Sequence, residues 1–261
     1  MKQMENIYDK IAEIRKSRRK AVLCTVVSTK GSVPRKIGAK IIVMDDSKIF
    51  GTIGGGTLEK NVIEKAVETI TSSKAELISY NLTKDLGMAC GGSVEIFIEP
   101  LFNRYKLLIF GAGHIGKALT KYSENLEFDS YIIDERENIF DDWQEGRYTK
   151  LNIPIADYFA QYKIDEFTFI VIVTKGHDTD REVLKGCIKS NAAYIGLIGS
   201  KRKALEIRKE FVSNGIVTDA EFDRIDVPIG LEIKAEGPEE IAISITAKLV
   251  FEKNKLIETI E

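Results

Sequence analysis

A glycine-rich segment at Gly111, Gly113 and Gly116 carries the clearest chemical signal in this chain. It follows an apolar run at 107–110 that is typical of a strand, and it precedes a helical pattern. Such glycines permit a tight turn, let the backbone approach a diphosphate and let the helix pack closely on the strand, while the helix N-terminus attracts the phosphate. Asp134 ends the next strand, 134 − 111 = 23 positions later, where a carboxylate accepts hydrogen bonds from a ribose hydroxyl. The segment predicts nucleotide-type anion binding, or alternatively a turn kept only for folding.

The chain has two histidines, His114 and His177, and both follow predicted strands. Ligands of open α/β sheets bind at this edge, where the carboxyl ends of the strands lie. We expect the second histidine to begin a functional loop in which Asp180 caps a helix starting at Arg181 while Asp178 faces the crevice. The alternative is that these residues only cap helices. The candidate ligand-binding residues of this loop are Lys175, Gly176, His177 and Asp178.

A third loop supplies positive charge at the same predicted edge. Ser200 is placed to cap a helix whose first turn contains Lys201, Arg202 and Lys203, directly after Gly199. Cations at this end oppose the helix dipole, and a bound polyanion would reverse that penalty. We therefore predict a phosphate-facing patch. A solvated surface or a contact with another subunit is the equal alternative.

The first hundred residues contain two further glycine-rich segments. Gly54, Gly55 and Gly56 precede a helix and resemble an anion nest, although close packing of that helix on a sheet explains them nearly as well. Cys90 lies between glycines that would leave its sulfur accessible, as a sulfur carrier or a molybdenum ligand requires; the alternative is a small buried side chain in a turn.

The cysteine count excludes two common uses of sulfur. Cys24, Cys90 and Cys187 are widely spaced and odd in number, which argues against a disulfide framework and against a tetrahedral zinc site. Cys24 falls within a strand pattern and Cys187 within a helical one, so we expect both in the core. We expect no metal site built by the protein alone.

The elements that must position these residues form two domains. Residues 1–102 show a helix, β-branched strands, a hairpin around Asp45 and Asp46, and a helix ending near Ile70, which predicts a mixed α/β domain. Residues 103–261 show four apolar strands alternating with helices, which predicts a Rossmann-like, doubly wound parallel sheet. Its predicted strands are 107–110, 130–133, 168–173 and 193–198, and its last helix is predicted to begin at Pro238.

Length and composition describe an ordinary globular protein. The chain has 261 residues, of which 44% are hydrophobic and 30% charged. Its net charge of −2, from 38 basic and 40 acidic residues, provides no overall positive field, so we expect no nucleic-acid partner. Because the sequence has neither an apolar leader nor an apolar run long enough for a bilayer, we expect no membrane partner and a cytoplasmic location.

In combination, these motifs resemble the xanthine dehydrogenase accessory factor family, also called XdhC/CoxI-like, over nearly the whole chain. Thr57 stands where family members often carry cysteine, and Lys175 stands where they often carry arginine, which keeps the positive charge. The segments that carry the resemblance are 31–35 with Gly38, 54–56 with Glu59, 89–95, 111–116, 176–180, 194–200 and 228–230.

The resemblance implies a chaperone for the molybdenum cofactor, molybdopterin, that supports its sulfuration and delivers it to a molybdenum hydroxylase. It further implies that the hydroxylase, and a cysteine desulfurase, are partners, and we expect a homodimer. We hypothesise that the cofactor lies between the domains, with its phosphate on the 111–116 loop and its metal toward Cys90. Taken alone, the fingerprint with Asp134 also fits an NAD(P)-dependent oxidoreductase with His177 as proton donor. A nucleotide-sensing regulatory adaptor is the third hypothesis.

Overall fold

The chain divides into two compact units, Met1–Asn103 and Arg104–Glu261, each with its own sheet. The computed structural model describes residues 6–17, 19–88, 91–102 and 105–260. The division falls one residue beyond the boundary that the sequence predicts.

The N-terminal unit contains a five-stranded sheet in the order β3-β2-β1-β5-β4, with antiparallel pairing throughout. The β2–β3 hairpin that the sequence predicts is confirmed. In chain order the described elements of this unit are α1 (Ile7–Ser17), β1 (Ala21–Lys30), β2 (Lys40–Met44), β3 (Ile49–Gly51), α2 (Gly56–Ser72), β4 (Glu76–Asn81) and β5 (Ser93–Pro100).

The two helices of this unit cover opposite faces of the sheet. Successive side chains of a strand point to opposite faces, so β1 contributes to two separate cores. Val22 and Cys24 pack in one core with Leu58 of α2, whereas Leu23 packs in the other with Ile14 of α1. Packing on the sheet fixes the position of α2, and with it the glycine-rich turn that precedes the helix.

The C-terminal unit is built on a six-stranded sheet in the order β11-β10-β9-β6-β7-β8, with parallel pairing throughout. Its described elements are β6 (Tyr105–Phe110), α3 (His114–Ser123), β7 (Phe128–Ile133), β8 (Tyr148–Leu151), α4 (Ile155–Gln161), β9 (Thr168–Ile172), α5 (His177–Cys187), β10 (Tyr194–Leu197), α6 (Lys201–Ser213), α7 (Asp219–Phe222), β11 (Ile225–Asp226) and α8 (Gly237–Ile260).

Both faces of the parallel sheet are covered, as the doubly wound prediction requires. On β6, Leu107 and Ile109 pack in the core that includes Leu119 of α3, while Leu108 and Phe110 pack in the opposite core with α5 and α6. The chain proceeds from β6 outward through β7 and β8, then returns to place β9 on the other side of β6. The order therefore reverses between β6 and β9, and ligands of open α/β sheets bind at such a reversal. The predicted Rossmann-like fold is confirmed.

Several element boundaries differ from the predictions. The sheet gains β8 and the two-residue β11, which the sequence patterns do not indicate, and α5 begins at His177 instead of Arg181. The helix α8 begins at Gly237, one residue before the predicted Pro238, and α2 continues to Ser72. Of the helices within the described ranges, none has both the length and the apolar content needed to cross a bilayer.

Candidate functional site

The glycine-rich loop joins β6 to α3 and touches the loop that follows β9. Gly111 has a φ of +114°, and a methyl group on it would lie 2.4 Å from the Val173 carbonyl oxygen. A methyl group on Gly116 would lie 2.0 Å from the Gly111 carbonyl oxygen. Any side chain at either position would collide with backbone atoms. These two glycines set the turn and hold α3 close to β6, the roles that the sequence predicts for them.

Gly113, the middle glycine of the loop, is not required by the backbone. Its φ of −75° and ψ of −168° are open to any residue, and a methyl group on it would meet no atom within 4 Å. Gly113 is the N-cap of α3, a position where a side chain that accepts a backbone N–H is preferred. Among the described residues no side chain caps α3, and its first turn carries no acidic residue. The amides of this helix end therefore face open space that an external anion fits.

Asp134, the predicted ribose ligand, is buried and bonded to groups of its own chain. Its Oδ2 accepts the Ala112 N–H at 2.7 Å and Nη2 of Arg136 at 2.6 Å. Its Oδ1 accepts the backbone N–H of Arg136 at 3.0 Å and Nε at 2.9 Å. Burial acts to raise the pKa of Asp134, but these hydrogen bonds and the positive charge of Arg136 outweigh it and hold the pKa below its usual value. The carboxylate braces the glycine loop, and the ribose contact stays a prediction that requires Arg136 to move.

The loop after β9 is organised by a buried ion pair between α5 and α6. Asp180 accepts a hydrogen bond from Oγ1 of Thr174 at 2.6 Å and another from the ammonium of Lys203. The same ammonium donates to the Ile198 carbonyl at 3.0 Å. The side chains of Asp180 and Lys203 are 2% and 12% exposed. This network ties the end of β9 to the end of β10, so it fixes the relative positions of two helix N-termini.

The prediction that Asp180 caps a helix starting at Arg181 is wrong. The helix α5 begins at His177, and its N-cap is Gly176, where a methyl group would again meet no atom within 4 Å. Asp178 and Asp180 both lie in the first turn of α5. Because these carboxylates already complement the helix dipole, the N-terminus of α5 attracts an anion less strongly than that of α3.

The third loop is partly closed by its own side chains. Ser200 is the N-cap of α6 and accepts the Lys203 N–H at 3.2 Å, so the predicted cap is confirmed. The ammonium of Lys203 turns inward and is not available to a phosphate. Lys201 is exposed, and Arg202 is 89% exposed with Glu206 at 3.3 Å. Two cations of the predicted patch therefore remain at the surface.

The fold brings the first two predicted loops together. Because β6 and β9 are hydrogen-bonded neighbours, their carboxyl ends meet at the reversal of strand order. His114 and His177 occupy the first positions of α3 and α5, and both are exposed. Lys175 and Asp178 are exposed as well, whereas Gly176 is half-buried. These polar side chains surround the helix ends without forming hydrogen bonds that would close the space before α3.

The glycines of the N-terminal unit already hold an anion, which is a carboxylate of this chain. Oε2 of Glu59 accepts the Ile53 and Gly55 N–H groups, each at 3.1 Å, and the Thr52 hydroxyl at 2.5 Å. Gly54 donates to the Thr52 oxygen at 3.1 Å. Burial acts to raise the pKa of Glu59, but the hydrogen bonds outweigh it and lower the pKa. The amides of Gly54 and Gly55 are thus not open to a ligand in this conformation, contrary to the predicted nest for an external anion.

The two cysteines that the structure describes are core residues, as predicted. Cys24 and Cys187 are both 0% exposed, and burial raises the pKa of each thiol to about 12. Neither supplies a thiolate near neutral pH. Cys90, the predicted sulfur carrier or molybdenum ligand, lies outside the described residues. Within the described ranges, no three His, Cys, Asp or Glu residues are grouped to hold a metal ion.

Comparison with known families identifies both parts of the chain. Residues 107–249 match the XdhC Rossmann domain, and residues 14–81 match the XdhC and CoxI family. The chain belongs to the XdhC family. The site described above therefore lies in the XdhC Rossmann domain, and the Glu59 cluster lies in the XdhC and CoxI part.

Three curated proteins illustrate the range of the family. YqeB of Escherichia coli K12 is 31% identical over 95% of this chain, which spans 46% of that protein. A relative from Bacillus subtilis, described as a probable xanthine dehydrogenase subunit, is 22% identical, covering 95% of this chain and 97% of its own. The molybdenum cofactor insertion chaperone PaoD of E. coli is 21% identical, covering 88% and 82%.

A solved structure supports the fold of this XdhC-family chain. The crystal structure of a xanthine dehydrogenase from Bacillus halodurans superimposes with a TM-score of 0.52 at 21% sequence identity, over 95% of each chain.

Two features of the site do not follow from the sequence predictions. Arg136 follows Asp134 by two residues, a spacing that could have indicated an ion pair closing the ribose position. Lys203 is predicted among the surface cations, whereas its inward turn depends on Asp180, which is distant in sequence and becomes a neighbour only through the sheet. Helical periodicity does place position 203 on the same side as the buried Ile207, and this is the signal that the sequence offers.

Proposed function

We propose that this chain binds the molybdenum cofactor as cargo and supports its insertion into a molybdenum hydroxylase. The N-terminus of α3 holds the phosphate of the pterin, and the exposed His114, Lys175 and His177 surround it. The role follows from membership of the XdhC family and from the insertion-chaperone function that PaoD carries in its name. The hydroxylase partner follows from the xanthine dehydrogenase name of the B. subtilis relative.

One observation carries the proposal. The glycine at 113 is required neither by its backbone angles nor by any neighbouring atom, and a capping side chain would stabilise α3 by about 0.5–2 kcal/mol relative to alanine. The helix forgoes that contribution and leaves open space before its uncapped amides. A phosphate oxygen in that space would accept the amide hydrogen bonds and complement the helix dipole. The donor set therefore fits a phosphate group.

The geometry suits a carrier better than a hydride-transfer enzyme. In an NAD site the carboxylate after the second strand holds the ribose, but Asp134 is occupied by Arg136 and Ala112. The exposed cations add electrostatic attraction that is released when the partner is reached, because surface charge pairs contribute little once solvated. We propose in addition that Cys90 contacts the molybdenum end of the cargo or passes sulfur to it, as the family resemblance implies.

Co-expression with a molybdenum hydroxylase tests this function. We expect the hydroxylase to contain more molybdenum and to be more active when the wild-type chain is present than when it is absent. Gly113→Asp removes the effect, and Cys90→Ala reduces it. Arg208→Ala, which removes a surface charge far along α6 from the glycine loop, serves as the control and leaves it unchanged. Equal molybdenum content of the hydroxylase with and without the chain would overturn the proposal, and saturable NAD binding with substrate-dependent hydride transfer would establish the oxidoreductase alternative.

A further inference from the structure

The end of β7 is built as a closed cluster around Asp134. An ionised carboxylate offers about four acceptor positions, and all four are used here, three of them by Arg136. The guanidinium forms a fork, with Nε on one carboxylate oxygen and Nη2 on the other. Fork-shaped pairing of this kind fixes the orientation of both partners more firmly than a single contact does.

A second group locks the backbone of the cluster. Nδ2 of Asn152, which directly follows β8, donates to the carbonyl oxygens of Asp134 at 2.7 Å and Arg136 at 3.0 Å. The carboxylate is buried, while the side chain of Arg136 is 37% exposed. The carboxylate can accept no further donor while the guanidinium remains, and the arginine cannot leave without exposing a buried charge.

We propose that Arg136 closes the ribose subsite of this Rossmann domain, so that the site selects a phosphate group that is not followed by a ribose diol at β7. This inference rests on the proposed phosphate site at α3 and specifies its ligand class. A ribose diol needs a free carboxylate to accept its hydroxyl protons, and Arg136 takes the oxygens that would serve. A pterin phosphate, which ends at the phosphate, loses nothing by that arrangement. Arg136 is thus a specificity-determining residue that acts through Asp134.

Calorimetric titration with inorganic pyrophosphate and with NAD tests the inference. The wild-type chain is expected to bind pyrophosphate at least as tightly as NAD. In Arg136→Ala the freed Asp134 carboxylate accepts the ribose hydroxyls, and NAD affinity rises by about tenfold or more, as hydrogen bonds to a charged acceptor imply. Pyrophosphate affinity changes by less than about threefold, since a single partly exposed charge is lost. Arg208→Ala removes the same charge from α6 and leaves both affinities unchanged.

Two further variants keep the test decisive if Arg136→Ala folds poorly. Arg136→Lys keeps the charge but cannot form the fork, so NAD affinity rises by a smaller factor. Adding Asp134→Asn to either variant abolishes the gain, which shows that the effect passes through the carboxylate. A wild-type chain that binds NAD more tightly than pyrophosphate, or Arg136 variants that gain no NAD affinity, would overturn the inference alone. Failure of the wild-type chain to bind pyrophosphate would instead overturn the phosphate site, and the inference with it.

Discussion

Replacing Gly113 with aspartate should separate the stability of α3 from its ability to bind an anion. The backbone angles at Gly113 suit aspartate, and a β-carbon there meets no atom within 4 Å, so the substitution introduces no strain. Aspartate at an N-cap gains a few tenths of a kcal/mol over glycine, and its charge adds about 0.3–1 kcal/mol at the positive end of the dipole. The C-terminal unit should therefore unfold at a temperature about 1–4 °C higher.

The same substitution should abolish phosphate binding. The new carboxylate accepts the amide hydrogen bonds intended for the ligand and repels its negative charge. Loss of one or two charge-assisted hydrogen bonds, at about 1.5–3 kcal/mol each, corresponds to at least about a tenfold fall in affinity. Titration with pyrophosphate, monitored by calorimetry and by thermal unfolding, measures both effects on one sample.

Two related variants refine this test. Gly113→Ser caps the helix without adding charge, so it should weaken pyrophosphate binding less than Gly113→Asp does. Gly176→Asp makes the equivalent change on α5, where the dipole is already complemented by acidic residues, and should have the smaller effect on binding. The reasoning is refuted if Gly113→Asp lowers the unfolding temperature, or if it raises that temperature and leaves pyrophosphate affinity intact.

Three further predictions concern the interactions that hold the loops. Gly116→Ala places a methyl group 2.0 Å from the Gly111 carbonyl oxygen and should cost about 1–3 kcal/mol in urea unfolding, and a wild-type midpoint would contradict the packing described. Lys203→Met leaves the buried Asp180 carboxylate without its partner and should cost about 3–5 kcal/mol, which adding Asp180→Asn should largely restore; no recovery in the double variant would disprove the pairing. The folded-state pKa of Glu59 is lowered, so its stabilising effect is present above its ordinary pKa and is lost as the pH falls through the lowered one. Hydrogen exchange of β1 should accelerate over that acidic range in the wild-type chain and less so in Glu59→Gln, and identical pH profiles would count against it.

The local signals of the sequence are sufficient for the fold and for the phosphate loop. The spacing of Gly111, Gly113 and Gly116 between a strand and a helix depends only on neighbours along the chain, and the structure places each residue as that spacing predicts. Alternation of helical and extended patterns likewise predicts the parallel sheet. Such features can be predicted because their causes lie within a few residues of one another.

What the sequence does not predict depends on contacts between distant residues or on weak periodicity. The bonding of Asp134 to Arg136 depends on a side-chain orientation, and the Lys203 pair joins helices that follow different strands. The edge strand β8 is only partly buried along its whole length, so it shows neither an alternating nor a continuous apolar pattern. The predicted start of α5 is too late because Asp180 resembles a capping residue although it lies within the first turn.

The account depends on an anion held at the uncapped N-terminus of α3, and mass spectrometry of small molecules released from the anaerobically purified chain tests it most directly. The wild-type chain is predicted to release molybdopterin at about one molecule per chain, and Gly113→Asp to release none. Nicotinamide dinucleotide in place of the pterin, or a pterin content unchanged by Gly113→Asp, would contradict the account.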